Sequence, residues 1–232
     1  MRNYVESLFQ RRLEQFTSCP EFVALECGRG SMVEYDQFIA RVFETHHTSP
    51  HFLAFLFAVA PPASAERVRD NLLEELGFTE HGGEAHPRLL EGLIRGAGLG
   101  DRLDELRRRA RRRLSELVAE PLLYGTLREA GLGALIEIVS FEYMLSRTAS
   151  RIARFLTAHR VIADEHLIWF AHHAEVDIQH AQEGFQLIED YLAYYDFAED
   201  EARDIIAASL RENAFIKRYF GVDAAARASD GA

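Results

Sequence analysis

The chain is poor in cysteine and lysine. Its 232 residues include two cysteines, Cys19 and Cys27, and a single lysine, Lys217. Two thiols are too few for a disulfide scaffold, a cysteine zinc ribbon or an iron–sulfur cluster. They read as free thiols in a reducing compartment. An excess of positive charge is also lacking: Lys+Arg is 26 against Asp+Glu 37, a formal net charge of -11, which argues against a nucleic-acid partner. No apolar run is long enough to span a bilayer. The most apolar segment, residues 51–62 (HFLAFLFAVAPP), ends at two prolines. Residues 1–16 alternate charged and apolar positions without the apolar stretch of a signal peptide. The expectation is a cytoplasmic protein with no membrane association. Histidine, by contrast, is plentiful, with 10 residues. A metal in this chain has to be held by imidazoles and carboxylates.

Apolar residues make up 48 % of the chain and charged residues 27 %, enough to bury a core. Nearly every long segment repeats its apolar residues at helical spacing, and no alternating strand pattern stands out. Start and stop signals place helices over 3–17, 33–47, 50–59, 65–77, 87–97 and 102–119, then a short one from Pro121 stopped at Gly131 and Gly133. Longer ones follow over 134–158, 164–195 and 199–219, and Cys19 to Gly30 reads as a loop. This organisation predicts one all-α domain over 1–222 with a flexible tail, 223–232. Residues 102–113 (RLDELRRRARRR) carry seven arginines. With leucines on the opposite side, they read as the solvated face of a surface helix.

Residues 172–180 (HHAEVDIQH) place His173, Asp177 and His180 at i, i+4 and i+7, one helix face about two turns long. His172 lies about 100° around the helix and is expected to face elsewhere. Ile168, Phe170, Phe185 and Ile188 surround the triplet. A carboxylate among such residues costs several kcal/mol unless it is paired or bound to a cation. The competing reading is two satisfied histidines and a solvated aspartate. Glu142 stands in an equally apolar stretch, IEIVSFEYML. Residues 71–77 (NLLEELG) precede a glycine-containing segment with His81 and His86. Glu74 reads as a surface position and Glu75 lines up with Leu72 and Leu76, with the choice between the two left open. His86 opens an amphipathic helix, whereas His81 sits among polar residues; either can be the partner. Glu75, His86, Glu142, His173, Asp177 and His180 together make three carboxylates and three imidazoles. That is the inventory of a dinuclear non-haem iron or manganese site.

These residues resemble the haem-oxygenase-like diiron oxidases, relatives of the thiaminase-like and pyrroloquinoline-quinone synthase-like proteins. The match lies in Asn71-Leu72-x-Glu74-Glu75-Leu76-Gly77, then His86-Pro87-x-Leu89, the isolated Glu142, and His173-x-x-x-Asp177-x-x-His180, within about residues 35–220. The resemblance implies a bundle of about seven to eight helices with the metal site in its middle. It implies two Fe(II) ions (manganese being the alternative), dioxygen as co-substrate and no haem, with Glu44 as a possible additional carboxylate. His46, His47 and His51 read as pocket-wall or surface residues. The implied activity is oxidation or oxygenation of a small amino-acid-like or carboxylate substrate: oxidative C–C cleavage, desaturation or N-oxygenation, in a natural-product pathway. A fatty-acid decarboxylase of the same family is the nearest alternative. A thiaminase-like or cofactor-free enzyme, and a helical partner-binding protein, are the others. A substrate carboxylate needs a cation, and Arg147, Arg211 and Lys217 are the candidates; Tyr124, Phe141, Trp169, Phe170 and Phe215 are candidate wall aromatics. A small molecule is the expected partner, and a homodimer is left open.

Overall fold

The computed structural model describes residues 1–78, 83–119 and 125–221. His81, Tyr124, Pro121 and the expected tail 223–232 lie outside these residues. Among the described residues the secondary structure is helical: α1 (Arg2–Ser18), α2 (Pro20–Glu26), α3 (Met32–His46), α4 (Ser49–Val59), α5 (Ala65–Glu75), α6 (His86–Gly96), α7 (Leu103–Ala119), α8 (Leu127–Phe155), α9 (Ile168–Tyr194), α10 (Glu199–Ser209) and α11 (Ala214–Phe220). The expected all-α fold is therefore observed. Among the described residues no helix is long and apolar enough to cross a membrane.

Three boundaries differ from expectation, each for a local reason. The expected loop after Cys19 contains α2, opened by Pro20 in the first turn, where a missing N–H costs nothing; Phe22 and Leu25 pin it to the core. Gly131 and Gly133 do not stop a helix but lie inside α8. Gly131 sits under Tyr191, whose phenol occupies the space a Cβ would need. The expected helix 199–219 is broken before Asn213. The Asn213 Oδ1 accepts from the Ile216 N–H at 3.2 Å to start α11, and its Nδ2 donates to the Arg12 carbonyl at 2.8 Å.

The long helices α8 and α9 pack against each other along their lengths. Gly131 meets Tyr191 and Val139 meets Gly184, so the pair is antiparallel. A Cβ at Gly184 would lie 2.6 Å from Val139 Cγ1, so the close approach depends on its absence. Helices α4 and α10 lie against α8, α6 lies against α9, and α3 bridges α6, α7 and α11. In α7 the buried side is Leu103, Leu106 and Ala110, while Arg108, Arg111 and Arg112 are exposed. Arg107 pairs with Glu91 at 2.6 Å. This scaffold aims α9, the end of α5 and the start of α6 at one buried volume.

Candidate metal centre

Two glutamates close α5. Acidic groups in the last turn oppose the helix macrodipole, so Glu74 and Glu75 do not serve the helix that carries them. The chain returns at α6, whose first residue is His86 with Pro87 next to it. Across from both lies the middle of α9. His86 Nδ1 is 2.9 Å from Glu75 Oε1, and His173 Nε2 is 3.9 Å from the same oxygen. Ser49 Oγ donates to Glu75 Oε2 at 2.7 Å. His173 Nδ1 donates to the Trp169 carbonyl at 2.7 Å. That bond commits Nδ1 as a donor and fixes the ring with Nε2 turned toward Glu75, whose carboxylate raises the pKa of the imidazole against its burial. The rings of His86 and His173 stand edge to face, centroids 4.8 Å apart.

A second set lies beside the first. Glu74 Oε1 accepts from His172 Nε2 at 3.0 Å, and Glu74 Oε2 is 3.2 Å from His180 Nε2. His180 Nδ1 is 3.4 Å from Asp177 Oδ1. Glu142, on α8, accepts from Asn71 Nδ2 at 2.8 Å. The side chain of His86 joins the two sets. Donor atoms of Glu75, His86 and His173 converge within 4.8 Å of one another, and so do those of Glu74, His86 and His172.

Eight ionisable side chains in a largely dry interior must compensate one another. Burial pushes the Glu75 carboxyl up, but the imidazoles of His173 and His86 outweigh it and hold it well below the usual carboxylate range. Hydrogen bonds from His172 and His180 do the same for Glu74. Burial alone would lower His180, yet Asp177 and Glu74 raise it to about 11. Burial pushes Glu142 up to about 7, with His180 opposing and Asp177 reinforcing. Glu142 nonetheless keeps partial access to a small cleft, also lined by Asn71, His180, Leu53 and Leu135.

Do these residues fit a metal? Two atoms answer in its favour. Asp177 is 2 % exposed, and its Oδ2 has no hydrogen-bond partner. His86 Nδ1 is buried and close to Glu75 Oε1, but out of line for a hydrogen bond. Ligand atoms about 2.1 Å from one cation sit about 3 Å apart along an octahedral edge. The 2.9 Å separation of His86 Nδ1 and Glu75 Oε1 fits such an edge, and the angle between them does not make a hydrogen bond.

The structure thus brings Glu75, His86 and His173 together, with Asp177, His180 and Glu142 alongside. Two members depart from the favoured sequence reading. His172 does not face elsewhere and Glu74 is not a surface residue: the pair meets because α5 ends between two adjacent α9 positions. The signal was a Glu-Glu doublet answering a His-His doublet. Glu44 is buried, but it points to α7, where Arg109 Nε lies 3.1 Å from Oε1. Arg147, Arg211 and Lys217 are all exposed. Arg147 lies over the Tyr143 ring and donates to the Tyr143 carbonyl, and Lys217 pairs with Glu212. None of the three reaches the cluster, because each keeps its charge in water at the molecular surface. A cation nearer the cluster is Arg67, which lines the Glu142 cleft; its Nη2 pairs with Asp190 and donates to Ser64 Oγ, while its buried Nε has no hydrogen-bond partner.

Among the comparisons with known proteins, no curated protein matches the chain. A family model described as an iron-containing redox enzyme matches residues 37–214, which span α3 to the start of α11 and include every residue of the cluster. The chain therefore belongs to this family of iron-containing redox enzymes with a haem-oxygenase-like fold.

Proposed function

We propose that the cluster holds two iron ions and that the protein is a dioxygen-dependent oxidase or oxygenase of a small amino-acid-like or carboxylate substrate. The observation that carries this reading is the pair of converging donor sets, Glu75–His86–His173 and Glu74–His86–His172, with Asp177, His180 and Glu142 beside them. Four carboxylates offset the charge of two divalent ions, a balance that a single zinc in a closed tetrahedron does not need. Iron bound there supplies one-electron redox chemistry and the reduction of dioxygen.

The chain's own residues do the rest. The carbonyl of Trp169 holds His173 with Nε2 forward, and Ser49 holds Glu75. In the metal-free protein burial pushes Glu142 up to about 7, so it holds a proton there that an arriving cation would displace. The cleft walls, Leu53, Leu56, Val68 and Leu135, exclude water, and the unpartnered Nε of Arg67 offers a substrate carboxylate a donor. The thiol alternative has less support. Burial raises the pKa of Cys19, whose Sγ accepts from the Phe22 N–H, so it rests as a protonated thiol.

The test is an anaerobic Fe(II) titration followed by metal analysis. The expected result is about two irons per chain, with loss of iron in His173→Ala and Asp177→Ala. Undiminished iron in both variants would overturn the reading. An oxygen-consumption screen of the loaded protein against amino acids and fatty acids then separates the substrate classes. Arg67→Met is expected to raise KM for a carboxylate substrate about tenfold or more.

A further inference from the structure

Behind His173 the interior is aromatic, and one line of side chains leads away from the cluster. The Trp169 indole lies against the His173 imidazole, centroids 4.2 Å apart, and against the His46 ring at 4.9 Å. His46 Nε2 is 2.7 Å from the Tyr219 hydroxyl. His173, Trp169, His46 and Tyr219 are all buried, and Tyr219 has no exposed surface. Phe16, Phe38 and Phe141 enclose its ring. Beyond it lies a surface cleft of about 130 Å³ lined also by Phe38, Arg41 and Phe220. Filling this wall would require only another phenylalanine; the hydroxyl and the imidazole must satisfy each other in a dry setting.

The direction of the hydrogen bond follows from the surroundings. Burial, with His173 adding to it, lowers His46 to about 3, so the ring is neutral. Burial and Asp177 hold the Tyr219 phenol well above its usual range, so it keeps its proton. The O–H donates, and Nε2 accepts.

We propose that Tyr219 and His46 form a one-electron donor couple for the oxidised iron centre, connected to it through Trp169 and His173. The inference rests on the iron reading above. In the step, the Tyr219 O–H bond breaks. Its electron passes by way of the His46 ring, the indole and the His173 imidazole to the centre, which iron oxidation by dioxygen has made one electron deficient. Its proton passes to His46 Nε2. The products are a neutral phenoxyl, an imidazolium and a centre reduced by one electron.

The experiment is freeze-quench electron paramagnetic resonance on the full chain, loaded with Fe(II) and mixed with dioxygen. Iron content and the loss of Fe(II) are measured on the same samples. The expected result is an organic-radical signal that narrows when the protein is grown on ring-deuterated tyrosine and is lost in Tyr219→Phe at unchanged iron content. A signal that persists in Tyr219→Phe, or that does not narrow, overturns the proposal. So does iron that binds and oxidises without any radical, a result that leaves the two-iron reading standing. A protein that binds no iron overturns both. If Tyr219→Phe fails to fold, His46→Gln removes the proton acceptor and keeps the phenol. Loss of the signal supports the couple, and a signal of wild-type amplitude and lifetime overturns it.

Discussion

Glu142 and His46 show how a single buried group can oppose the fold that carries it. Glu142 has a folded pKa of about 7, above the value near 4.5 of an unfolded glutamate. Its contribution is complete below pH 4.5 and is lost as the pH rises through 7, so at pH 8 the metal-free protein carries a strained carboxylate. Glu142→Gln is expected to stabilise the metal-free protein at pH 8 by about 1–3 kcal/mol while weakening iron binding; denaturant melts with and without Fe(II) check both. His46 is shifted the other way, from 6.5 unfolded to about 3 folded. The native state favours the neutral ring, so stability is full above pH 6.5 and falls as the pH drops toward 3. The loss attributable to this one ring is up to about 4–5 kcal/mol. His46→Asn should flatten the acid limb of a stability-against-pH curve, at a cost near neutrality of about 1 kcal/mol for the altered bond to Tyr219. A curve as steep as wild type would show that other groups govern the acid limb.

At the scale of elements, the α8–α9 contact governs the site, because Glu142 stands on one helix and four donors on the other. Gly184 sets their spacing against Val139. Gly184→Ala is expected to cost about 1–3 kcal/mol, and adding Val139→Ala should recover most of the loss. If the double variant is no better than the sum of the singles, the contact does not limit the approach. The same pair of helices explains how far the sequence could be read. Apolar spacing is local, so α3, α4, α6, α7 and most of α8 and α9 were legible. His173, Asp177 and His180 were legible too, because one helix face carries all three. Gly131 was misread as a stop, since only the arrival of Tyr191 from a helix 60 residues later gives it a packing role. Helix α11 was hidden because its start depends on Asn213 bonding to Arg12, at the far end of the chain. For a similar reason His172 was missed, and Glu74 could not be told from Glu75 as the ligand. Adjacent residues on one helix diverge by about 100°, and they converge on a site only when another helix ends between them. Arg147, Arg211 and Lys217 stayed mere candidates because a sequence does not say which side of α8, or which residues near α11, lie next to the cluster.

For the whole molecule, iron should act as a ligand of the native state. If the cluster binds Fe(II), an excess of 100 Kd adds about 2.7 kcal/mol, and the melting temperature should rise by about 5–10 °C for a chain of this size. A melting temperature indifferent to Fe(II) would count against a native-state site. Loading has a second consequence, which follows from the His180 ring held at about 11 by Asp177 and Glu74. At neutral pH that ring is an imidazolium, and a metal accepts only the neutral form. The empty protein therefore stores protons where the loaded protein stores cations, and His180, with Glu142 at about 7, must give them up to the solvent. The empty protein, less negative than the formal -11 by the protons it holds, then shifts by less than the four positive charges of two arriving dications. Filling the centre acidifies its surroundings, so a fall in pH competes with iron as directly as a chelator does.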